Sequence, residues 1–110
     1  MDKTAVEQML GQYERNGWVL RRVLLTPEQS REFEALSGFS GPVQTSAGID
    51  ALWFSRARAD GRVAWEIRHL SDVPYALVEV LEPMAGDDEL ERSLSAAEVR
   101  MKQALQRKGV

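Results

Sequence analysis

Asp60-Gly61 is the most constraining dipeptide in this chain. It separates two runs rich in apolar and aromatic residues, 49–59 and 62–70. Asp-Gly accepts the positive φ angles of a tight hairpin turn, so the two runs are expected to be adjacent antiparallel strands. With a two-residue turn, Ala59 pairs with Arg62. Arg56 then lies opposite Trp65, Phe54 opposite Ile67 and Leu52 opposite His69. That register gathers Phe54, Trp65 and Ile67 on a core side. It turns Trp53, Ser55, Glu66 and Arg68 to the other side, with Trp53 over Arg68 as a cross-strand cation–π pair. A three-residue loop, Ala59-Asp60-Gly61 with a bulge, is the competing geometry; it would move Leu52 and Phe54 outward.

Helical signals bracket this hairpin. Thr4 and Glu7 form a capping-box pattern, and Val6, Met9, Leu10 and Tyr13 make one apolar stripe over 4–15. Asn16-Gly17 is a stop signal. Residues 18–25 read as a strand in which the adjacent Arg21 and Arg22 break the alternation, so one of them is expected to point toward the helix layer or to sit at a bulge. Thr26-Pro27 opens a second helix, with Gln29 closing its cap and Phe33 and Leu36 as core contacts. Residues 37–48 read as a loop of functional length. Residues 75–81 read as the last strand. Leu90, Leu94, Ala97, Met101, Ala104 and Leu105 give the final helix, 87–106, one apolar face. The expected fold is a single α+β domain over 1–110, in the order α-β-α-β-β-β-α. Its four-stranded, mainly antiparallel sheet carries helices on one face and leaves the other open.

Composition narrows the function classes. The chain has 110 residues and no cysteine, which removes disulfides, thiolate metal sites and Cys nucleophiles and suits a cytoplasmic setting. No apolar run approaches the roughly 20 residues that cross a bilayer, so no membrane span is expected. A net charge of −3 points away from nucleic acid as a partner. The exception would be phosphate capture by the hairpin arginines Arg56, Arg58 and Arg62.

Chemical motifs are sparse. Asp50 followed by Glu66-x-Arg68 resembles, in outline, the hairpin carboxylates and lysine with which PD-(D/E)xK nucleases hold a cation and activate water. Here Arg68 stands in place of the lysine and stays protonated, and the expected register puts Asp50 and Glu66 on opposite faces. His69 is the single imidazole, and no second signal makes it a ligand or a base. No catalytic residue, metal or cofactor is therefore expected, and the residues point away from an enzyme. The expectation is an interaction module that self-associates or binds a protein through Trp53, Ser55, Glu66 and Arg68. Two alternatives stand beside it. One is a small-molecule or hydrolytic cleft between the sheet and the 37–48 loop, with Arg68, His69 and Tyr75 as polar contacts. The other is the arginine hairpin on nucleic acid.

Overall fold

The computed structural model describes residues 2–33, 43–44, 48–71, 75–82 and 86–107. Its elements are α1 (Lys3–Arg15), β1 (Val19–Leu24), α2 (Pro27–Phe33), β2 (Val43–Gln44), β3 (Ala51–Ala57), β4 (Val63–His69), β5 (Ala76–Leu81) and α3 (Asp87–Arg107). The α+β class and the order of the expected elements hold. Strands β1, β3, β4 and β5 form an antiparallel sheet, and the two-residue β2 adds a parallel edge beside β1, giving the order β2-β1-β3-β4-β5. That edge lies within the stretch read as loop. The rest of that loop, the core contacts expected of Phe33 and Leu36, and the turn before Tyr75 lie outside the described residues or side chains.

Local chemistry explains the helix ends. Asp2, rather than Thr4, caps α1, accepting the Ala5 N–H at 2.8 Å. At the other end Gly17 takes φ +85°. The Trp18 N–H donates to the Tyr13 carbonyl and the Gly17 N–H to that of Glu14. This paired closure uses a left-handed residue that glycine supplies without strain. It also seats Trp18 edge-on to Tyr13, with ring centroids 6.1 Å apart.

The hairpin closes one residue differently from the two-residue expectation. The Arg58 N–H donates to the Arg62 carbonyl and the Gly61 N–H to that of Arg58. Ala59, Asp60 and Gly61 therefore form the loop. Gly61 sits at φ +86°, and no described non-glycine residue has positive φ. A two-residue type I′ turn needs positive φ at both central positions, so it is excluded here. Asp60 supports the longer loop by accepting the Arg62 N–H at 3.0 Å. The resulting register pairs Leu52 with Arg68, Trp53 with Ile67, Phe54 with Glu66 and Ser55 with Trp65.

This shift goes with a second correction: helices cover both faces of the sheet. One cluster joins Val6 and Met9 of α1 to Val23, Leu25, Leu52, Phe54 and Leu70. The other joins Leu94, Ala97, Met101 and Leu105 of α3 to Leu24, Ala51, Trp53 and Ile67. Adjacent residues of β3 point to opposite sides, so its unbroken buried run Ala51–Ser55 requires cover above and below. Of the two arrangements open to Arg21 and Arg22, the strand takes the bulge, between Leu20 and Arg22. It lets Arg21 and Arg22 both reach the α3 side, where Arg21 donates to Ser55 Oγ at 2.7 Å and Arg22 to Glu91 at 3.1 Å. No helix among the described residues is long and apolar enough to cross a membrane.

Candidate functional site: an uncovered edge and a polar cavity

The four residues expected on one open surface are divided by the sheet. Trp53 is fully buried against α3, its indole donating to Glu98 at 3.0 Å and meeting the Trp65 ring edge-on. Ser55 is buried beside it and accepts from Arg21. Glu66 and Arg68 lie on the α1 side, in register with Phe54 and Leu52. The expected Trp53–Arg68 cation–π pair is therefore absent. The cation–π contact that does form places the Arg56 guanidinium 4.5 Å from the Trp18 ring centre.

The α1 side is covered only in part. Cross-strand rows run from Leu20 through Phe54 and Glu66 to Val78, and from Val23 through Leu52 and Arg68 to Ala76. Tyr13 marks the limit of α1. Its ring stacks on Phe54 at 4.0 Å, and its hydroxyl donates to the Glu66 carboxylate. Burial first, then the bond to Glu66 and its charge, push the Tyr13 phenol above its ordinary pKa, so it remains a donor. Beyond Tyr13 the sheet is bare. Val78 is 53% exposed and Val80 38%.

These valines sit on β5, the last strand of the sheet. The His69 N–H donates to the Tyr75 carbonyl at 2.9 Å. Alternation along an antiparallel ladder then turns Leu77, Glu79 and Leu81 toward β4, and turns the backbone N–H and C=O of Ala76, Val78 and Val80 to the open edge. The charged member of the strand, Glu79, lies on the α3 side and pairs with Arg100. The open row carries no charge, and β5 lacks the lysine, proline or bulge that commonly blunts an edge. Sequence reasoning missed Val78 and Val80 because an edge valine and a core valine look alike in a short apolar run. The unbroken apolar run 51–54 was the signal that Trp53 is internal.

The arginine hairpin is internally engaged. Asp60 pairs with Arg58 and Arg62, and Arg56 donates to the Asn16 carbonyl. The Arg62 side chain, then its N–H, and Arg58 hold the Asp60 carboxyl well below the usual carboxylate range. A phosphate would have to displace that carboxylate.

Arg68, His69 and Tyr75 are also split. His69 and Tyr75 adjoin across β4 and β5, whereas Arg68 lies on the opposite face and folds back to donate to the His69 carbonyl at 2.6 Å. His69 instead lines a cavity of about 240 Å³ with Asp50 and Lys102. Asp50 Oδ1 accepts the Thr26 N–H at 2.7 Å. Among the described residues, no group of three metal-ligating side chains forms.

Burial depresses the His69 pKa from the ordinary 6.5; Asp50 opposes the shift and Arg68 adds to it. The unfolded chain therefore binds more protons just below that value, and stability falls as pH drops through it. The urea midpoint of the parent is expected to fall between about pH 7.5 and about pH 5.5, and His69→Gln is expected to lose most of that fall. An identical slope in both proteins would contradict the assignment. Comparison of the chain with protein-family models, with curated proteins and with solved structures found no match.

Proposed function

We propose that this chain is a non-catalytic self-association module that joins a second copy through the β5 edge. The carrying observation is the coincidence, on one strand, of unused backbone groups and an uncovered Ala76–Val78–Val80 row. A bare, uncharged edge is a template for another strand, and natural sheets seldom leave one unprotected. A two-fold axis perpendicular to the sheet pairs residues of the same face. Centred on Val78, it sets Val78 against Val78, Ala76 against Val80 and Leu77 against Glu79. Centred one residue later, it sets Glu79 against Glu79, and like charges directly opposite are unfavourable. The first register is therefore the preferred one, and all its edge-facing N–H and C=O groups find partners.

The product is a continuous ten-stranded sheet with the valine rows of both copies abutting. No catalytic step, metal or cofactor enters this reading, and a cytoplasmic setting belongs to it. Light scattering on the size-fractionated full chain tests it. A concentration-dependent dimer is expected; a monomer at every concentration up to the millimolar range, about −4 kcal/mol of association or weaker, would end the proposal.

A further inference from the structure

We infer that the cavity beside His69 is a binding site for a small zwitterion of the free α-amino-acid class. It lies between the N-terminal end of β3, the C-terminal end of β4 and the last turns of α3, and is independent of the β5 edge. Two opposite charges line it, the Asp50 carboxylate and the Lys102 ammonium. They form no ion pair with each other, and Lys102 has no ion-pair partner among the described residues. Opposite charges that line one cavity of about 240 Å³ without pairing complement a ligand carrying both signs. A carboxylate would sit on Lys102 and an ammonium on Asp50.

The rest of the lining fits the same ligand. His69 Nδ1 is buried without a hydrogen-bond partner, the one such side-chain atom among the described residues. A buried polar atom left unpaired is costly, so the His69 wall of the cavity is one the fold itself leaves unsatisfied. Gln106 adds a neutral amide, while Ile49 and Leu105 supply apolar wall for a small side chain. Asp50 is fixed rather than free to swing, since Oδ1 holds the Thr26 N–H and its backbone carbonyl accepts from Leu70. A simple anion would meet the Asp50 carboxylate, and a simple cation the Lys102 ammonium. Only a ligand of both signs uses both.

The test is a titration of the ¹⁵N-labelled full chain with glycine, L-alanine and L-leucine, with acetate and methylamine as single-charge controls. Shifts at His69, Ile49 and Gln106 are expected with at least one amino acid. Acetate and methylamine should bind at least about tenfold more weakly. Lys102→Gln and Asp50→Asn should each weaken amino-acid binding about tenfold or more. Lys102 is a half-buried helix residue, and asparagine at 50 keeps an acceptor for the Thr26 N–H, so both variants should retain the parent spectrum elsewhere. Acetate binding as tightly as the amino acids, or no shift at these three residues, would overturn the inference. So would amino-acid binding that survives Lys102→Gln unchanged.

Discussion

Trp53→Ala is expected to lower the stability of the chain by about 3–5 kcal/mol, the range for removing a large aromatic ring from a core. Trp53 is fully buried between β3 and α3, in register with Ile67 and edge-on to Trp65. Deleting it removes contacts that α3 cannot recover by small shifts, and it strips Glu98 of the indole N–H. Trp53→Phe keeps most of the ring and loses that donor, so a smaller loss of about 1–2 kcal/mol is expected. Urea denaturation measures both. A loss below about 1 kcal/mol for Trp53→Ala would place the ring outside the core. The same substitution read on the expected open face would have weakened association and left folding intact. The two outcomes therefore separate a buried indole from a docking anchor.

Val78→Lys should do the reverse. Val78 is half exposed, so lysine there should change folding stability by no more than about 0.5 kcal/mol. Across a two-fold axis through Val78, each variant ammonium faces its counterpart. Juxtaposed like charges cost several kcal/mol in an interface, so association should weaken by about 2 kcal/mol or more, over tenfold in Kd. Val99→Lys is the control, because Val99 is similarly exposed but lies on α3 rather than on the edge strand. Loss of association by Val78→Lys alone fits the edge; equal loss in both variants would point to a nonspecific charge effect.

How far the sequence spoke depends on what each pattern can distinguish. The Arg21–Arg22 conflict was legible as an irregularity, with the bulge one of two ways to resolve it. The α1 stripe and the Asn16-Gly17 stop were legible because each is a local rule with one resolution. The α3 face was legible for the same reason, its apolar residues recurring at helical spacing on an otherwise charged helix. The hairpin register was not, because Asp-Gly serves both a two-residue and a three-residue loop. The usual arbiter is an inside–outside contrast along the strand. On β3 that contrast is missing, since α1 claims Leu52 and Phe54 while α3 claims Ala51 and Trp53. The candidate sites inherited that ambiguity. Glu66 and Arg68 stayed on a face together, but Trp53 and Ser55 passed to the other side. The cavity residues Asp50 and Lys102 are 52 positions apart in the chain; only the packing of α3 on the sheet brings them together.

Amide hydrogen exchange along β5, at two protein concentrations, tests the edge most directly. The N–H groups of Leu77, Glu79 and Leu81 point into the ladder with β4 and should be protected at both. Those of Val78 and Val80 point to the edge and should exchange freely in dilute solution and become protected in concentrated solution. That alternating, concentration-dependent pattern is the predicted result. Exchange at Val78 and Val80 that stays fast at every concentration, in a sample that light scattering shows to be dimeric, would contradict an interface built on β5.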